Sequence, residues 1–235
     1  TFMKLWFTLL MLVSGAALAS TFGETPRHMM VEVKFGSYEP LIDRVFSGKP
    51  GPYELAFGTA MLLGEAEVDY EFFQKFGTLS GGLSVGYAEK YAKSFISDTV
   101  RADQSTSLQL VPMKALLTYR FDYALERWNI PFVPYIKGGL VMIHYWGANG
   151  PDIETAQLIR GEGNKFGFVV TPGLSLCLDF LDQRLARDFD TGLGVNHTYL
   201  FAEWTFQEVT NFGLQGAKDL DLSSRHFMFG LAFEF

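Results

Sequence analysis

Leu62-Leu63-Gly64-Glu65-Ala66-Glu67-Val68-Asp69-Tyr70-Glu71-Phe72 is the stretch on which the fold turns. Side chains of an extended chain point alternately to opposite faces. Here one face carries Leu62, Gly64, Ala66, Val68, Tyr70 and Phe72, and the other carries Leu63, Glu65, Glu67, Asp69 and Glu71. A tilted strand of about 9–11 residues crosses a bilayer, so this segment is long enough to do so. An apolar face toward lipid leaves the acids pointing inward.

The same period runs through the chain. Val31, Val33 and Phe35 alternate with Glu32, Lys34 and Gly36. Strands with this pattern are read around 79–88, 113–122, 136–143, 166–178 and 198–206. The final one sets Phe227, Phe229, Leu231, Phe233 and Phe235 against His226, Met228, Gly230, Ala232 and Glu234. A terminal aromatic after an alternating strand resembles the assembly signal of bacterial outer-membrane barrels, which makes the barrel-assembly machinery an expected partner.

Eight segments result, an even number as single-chain bacterial barrels have. The connections at 39–60, 89–107, 145–165 and 207–225 are long, and those at 73–78 and 123–131 are short. Long outer loops and short periplasmic turns are the transmembrane pattern. The sixth connection, 179–195, is too long for it. There Leu181, Leu185 and Phe189 share one face of a short helix, which closes the periplasmic end or docks a periplasmic partner. The fold expected is all-β: a closed antiparallel transmembrane β-barrel of eight strands. Ten stay open if 53–59 or 213–222 add to the wall.

Lipid leaves no partner for the edge of an open sheet, so the barrel must close. Its inward row Glu65, Glu67, Asp69 and Glu71 then needs cations. Lys34, Lys114, Arg120 and Lys137 lie on inward faces and supply them, because buried charges persist only when paired. This reads as an interior ion-pair network rather than an ion path. A soluble barrel with reversed faces shares the alternation. The terminal Phe and an aromatic content of 16% favour the membrane.

The N-terminus reads as an export signal. Lys4 precedes an apolar core from Leu5 to Val13, and Ala17-Leu18-Ala19 is a small-x-small cleavage site. Residues 1–19 are thus a cleaved signal peptide and 20–235 the barrel domain, located in the outer membrane with its lipids as partners. The core is too short for a membrane-spanning helix, which needs about 20 apolar residues. Net charge is −7, and −8 once Lys4 is removed, which gives no footing for nucleic acid. One cysteine, Cys177, excludes an internal disulfide.

Three stretches look alike to a known group: Lys34-Phe35-Gly36-Ser37-Tyr38 with Ile42-Asp43; residues 131–139; and Ala186-Arg187-Asp188-Phe189-Asp190 through Gly194-Val195-Asn196-His197-Thr198-Tyr199 to Glu203-Trp204. Together they resemble a family of small outer-membrane β-barrel proteins from myxobacteria and their relatives. The resemblance covers most of the mature chain. It implies fold and location and carries no activity.

Chemistry is sparse. His28, His144, His197 and His226 show no metal-binding spacing, and neither a metal nor a cofactor is expected. His197 is the one enzymatic candidate, as a base oriented by Glu203 or Asp190, but its neighbour Thr198 points to the opposite face of a strand. The role expected is structural or binding, through outer loops or segment 179–195, toward a periplasmic or cell-surface partner. The alternatives are a narrow transporter of small apolar molecules and a lipid-modifying enzyme centred on His197. Transport needs a lateral opening, and Pro112, Pro134 and Pro172 are candidate breaks in strand pairing.

Overall fold

The computed structural model describes residues 27–45, 51–58, 60–97, 100–149, 162–181, 189, 191–213 and 220–235. Residues 1–19, read as the signal peptide, lie outside them, as do Asp190 and Leu185. The chain forms β1 (Met29–Tyr38), β2 (Met61–Gln74), β3 (Thr78–Ser97), β4 (Val100–Arg120), β5 (Phe132–Asn149), β6 (Glu162–Cys177), β7 (His197–Glu208) and β8 (Ser224–Glu234). Each strand pairs antiparallel with the next, and β1 pairs with β8, from Met30 opposite Glu234 to Gly36 opposite Met228. The sheet is a closed eight-stranded barrel. Residues 53–57, a candidate ninth strand, belong instead to helix α1 (Pro52–Phe57). Pro52 starts that helix, and the Asp43 carboxylate accepts hydrogen bonds from the Tyr53 and Glu54 amides, both 2.8 Å. A second short helix, α2 (Tyr123–Trp128), fills the β4–β5 turn and stops at Asn129 in the left-handed conformation.

The alternation reads out as expected. In β2, Glu65, Glu67, Asp69 and Glu71 are buried, while Leu62, Val68, Tyr70 and Phe72 are exposed. The exposed face is apolar through Val68, Leu83, Leu117, Leu140, Val170 and Phe229. Toward the outer side it ends at a polar collar. Gln109 donates to Glu89 across β3–β4 (2.8 Å), and His144 bonds Asn164 across β5–β6 (2.8 Å). Toward the periplasm it ends in aromatics, with Phe76 stacked on Tyr123 and Tyr123 edge-on to Trp128. An apolar band between such borders, around a charged interior, is the signature of a barrel that spans a membrane.

Strand length departs from the sequence reading. The connection expected at 89–107 is largely ladder, and that at 145–165 is ladder at 145–149 and 162–165, residues 150–161 lying outside the described ones: β3 and β4 run 20 and 21 residues, β5 and β6 18 and 16. Twenty residues make about 65 Å of strand, or about 50 Å of height at a tilt of about 40°, against an apolar band of about 25 Å. The β3–β4 ladder therefore stands well above the collar, flanked by the five residues of β5 beyond His144.

Tight inter-strand approach is marked by glycine. A Cβ on Gly167 would collide with the carbonyl of Glu208 and sit 2.7 Å from Val209 Cα, both backbone atoms of the neighbouring chain. Neither can swing aside. Gly167→Val is therefore expected to destabilise the barrel by about 1–3 kcal/mol, the usual cost of overpacking. The urea midpoint of refolded protein would measure it, and an unchanged midpoint would mean that β6 and β7 separate freely there.

Candidate functional site

The lumen is filled in three layers. Its outer half holds an apolar cluster: Tyr38, Leu63, Leu110, Ile143, Leu222 and Met228 pack together, with Tyr53 of α1 joining them. The row of inward acids gives no sign of this plug. Tyr38 also donates to the Leu222 carbonyl (2.7 Å), tying β1 to the chain entering β8. Burial pushes the Tyr53 phenol above its ordinary range.

Below the plug lies the ion-pair layer. Lys34 Nζ is 2.6 Å from Glu67, 2.9 Å from Glu203 and 3.7 Å from Glu32. Lys137 Nζ is 2.5 Å from Glu32, 2.8 Å from Glu67 and 3.7 Å from Glu203. Two ammonium groups thus share three carboxylates. Lys114 holds Glu65 at 2.5 Å beside them. The Tyr135 hydroxyl donates to Glu203 (3.0 Å), and Lys137 lies 5.3 Å from the Tyr135 ring centre. Every one of these side chains is buried.

The third layer faces the periplasm. Arg120 pairs with Glu71 and, at 3.1 Å, with Glu234. The Tyr199 hydroxyl donates to Glu234 (2.9 Å), and the Arg120 guanidinium lies 5.7 Å from the Tyr199 ring centre. Arg27 pairs with Glu126 of α2 at the rim. Asp122, just before α2, accepts from the Thr78 hydroxyl, and burial raises its carboxyl above the usual carboxylate range.

Seven of the eight charged residues read from sequence are brought together in these pairs. Asp69 is the exception. It is buried, yet its Oδ1 has no hydrogen-bond partner among the described residues and no ion pair there includes it. Glu32, Glu203 and Glu234 are members that the sequence reading missed. Strand parity carried the signal, since Glu32 shares the inward row of Lys34 and Glu234 that of Met228.

The expectation for His197 needs correction. Glu203 does not orient it. Six residues along β7 put the two about 20 Å apart, and Glu203 is bound to Lys34. The partner is Asp179, whose Oδ2 is 2.5 Å from His197 Nδ1. Thr198 follows on the outward face, where its amide donates to Asp179 Oδ1 (3.2 Å). Asp190 falls outside the described residues. In segment 179–195, Phe189 and residues 191–193 are helical.

Two of the three prolines coincide with interrupted ladders. Pairing lapses between Val85–Met113 and Ala88–Leu110, beside Pro112, and between Val170–Phe206 and Gly173–Glu203, beside Pro172. Pro134 is paired in register with Leu174 and marks no break. Proline lacks the donor a ladder needs.

Fold and lumen define the class: an eight-stranded transmembrane β-barrel of the kind found in outer membranes. No family model and no curated protein matches the chain. Among solved structures it is similar to Ail, the attachment invasion locus protein of Yersinia pestis (10% identity, 89% of this chain and 97% of that one, TM-score 0.42). It is also similar to the outer membrane protein OprG from Pseudomonas aeruginosa (10%, 92% and 99%, 0.43) and to the outer membrane enzyme PagL (12%, 85% and 97%, 0.45). Likeness this low transfers none of their activities.

Proposed function

We propose that this protein is a non-conducting, non-enzymatic outer-membrane barrel that presents a binding surface, the wall of β3, β4 and the end of β5 raised beyond the bilayer. The supporting observation is the pairing of a tall wall with a filled lumen. Strands of 18–21 residues are far longer than crossing requires. They form a rigid platform, and recognition surfaces are commonly carried by segments held on rigid scaffolds. The ion-pair layer and apolar plug supply structure. They speak against a transport path for small apolar molecules, despite the ladder breaks at Pro112 and Pro172.

Membership of the myxobacterial barrel family is part of the same proposal, supported by the three sequence stretches that resemble it. So is the assembly role of Phe227, Phe229, Leu231, Phe233 and Phe235, supported by their place on the strand that closes the barrel. Export through residues 1–19 belongs with it.

Two measurements test the role. In planar bilayers the refolded barrel is expected to give no sustained conductance; steady unitary currents would refute the filled-lumen reading. In intact cells, a photo-crosslinking residue at Tyr91 on the raised wall is expected to capture a partner. Adducts only from a crosslinker at Phe189 would move the binding surface to the periplasmic segment.

A further inference from the structure

Cys177, Asp179 and His197 come together at the periplasmic rim, and no part of the ion-pair layers uses them as a set. One ligand-capable atom from each lies within 4.8 Å of the others. The β6–β7 register explains it. Cys177 is opposite Tyr199, so carrying the antiparallel register two residues further sets Asp179 opposite His197. Alternation turns all four side chains inward. The Leu178 amide bonds the Thr198 carbonyl (2.8 Å), so the ladder continues past the formal end of β6 and holds the corner rigid.

We propose that this corner is a binding site for a divalent transition metal of the zinc class, with Cys177 Sγ, His197 and the Asp179 carboxylate as ligands. A thiolate with an imidazole selects borderline-soft ions over magnesium or calcium, which take oxygen. Three protein ligands leave one position open, as mononuclear zinc sites that keep an exchangeable ligand do. The openings suit that arrangement. Cys177 is 3% exposed and forms the floor, whereas the His197 and Asp179 side chains are 20% and 22% exposed and form the entrance. In a tetrahedral site, N and O ligands at about 2.0–2.1 Å from the metal stand about 3.3 Å apart. His197 Nδ1 and Asp179 Oδ2 are 2.5 Å apart here, so an ion entering at that nitrogen displaces one proton and spreads the pair by under about 1 Å. Metal binding would also release the thiol proton. A cysteine–histidine nucleophile is the competing use of these groups. The buried floor position of Cys177 disfavours it, because an acyl carbonyl must reach the sulfur and a small ion needs far less room.

Cys177 is the only cysteine in the sequence, so every thiolate signal reports on this corner. Cobalt(II) is the probe, titrated into the full barrel refolded in micelles, with folding verified by heat-modifiable migration. Wild type is expected to take up one equivalent and show a thiolate-to-cobalt charge-transfer band that zinc abolishes. Cys177→Ser should lose the band. Asp179→Asn and His197→Ala remove ligands and should weaken binding by at least the roughly 10–100-fold that loss of a mere outer-sphere partner costs. Should Cys177→Ser fail to fold, zinc protection of wild-type Cys177 from alkylation, at least about tenfold by the same reasoning, replaces it. A folded wild type with no charge-transfer band overturns the proposal. So does a band of undiminished affinity in both the Asp179 and His197 variants.

Discussion

Lys137→Met is expected to lower the unfolding free energy of the barrel by about 3–5 kcal/mol, the usual cost of removing one partner of a buried charge pair. Lys137 reaches Glu32, Glu67 and Glu203 at 2.5, 2.8 and 3.7 Å. Without it, Lys34 alone faces three carboxylates that no solvent can screen. Met fills nearly the same volume, so the loss reports charge rather than a cavity. Adding Glu67→Gln removes one of the stranded carboxylates and should restore much of the loss. Contacting residues of this kind typically show coupling of about 0.5–3 kcal/mol in a double-mutant cycle. Equilibrium urea unfolding of refolded protein measures all four corners. If Lys137→Met costs under about 0.5 kcal/mol, as a change at an uninvolved surface site does, water screens the layer and the lumen is hydrated. The non-conducting role would then lose its basis.

The second large effect separates lipid from water along a single strand face. Leu83 and Tyr91 both lie on the outward face of β3 and are 71% and 68% exposed. Leu83 is five residues from the periplasmic end of β3, about 13 Å up a tilted wall, near the middle of an apolar band about 25 Å tall. Tyr91 stands beyond Glu89 and the polar collar. Leu83→Arg should therefore cost about 2–4 kcal/mol in bilayers, and Tyr91→Arg about 0–1 kcal/mol. Unfolding in lipid vesicles reads both. Equal, small costs would place the whole outer face in water and overturn the membrane-spanning reading of the barrel.

Much of the lumen is legible in the alternation of residue types alone. Once an inward row is assigned from Glu65 to Glu71, parity names Lys34, Lys114, Arg120 and Lys137 as its partners, and all four pair with carboxylates. The raised wall is hidden because residues 89–107 carry polar side chains on both faces. Outside lipid a strand needs no apolar face, and continued pairing with its neighbour extends it. The corner at His197 is hidden for another reason. Asp179 lies 18 residues from His197 in sequence, with a long connection between, and nothing local announces their meeting.

The sequence by itself determined strand, face and number. Alternation is a local property of extended chain, so each residue's side of the wall follows from its parity within its own segment. Only the tertiary structure decided which inward rows face one another. That depends on barrel closure and on the register of every ladder, and these join Lys34 to Glu203 and Lys137 to Glu32 across the lumen. It also decided that an apolar cluster fills much of the outer lumen and that Cys177, Asp179 and His197 form one corner. A strand's pattern says which way a side chain points; the partner it meets is set by the shear of the whole barrel.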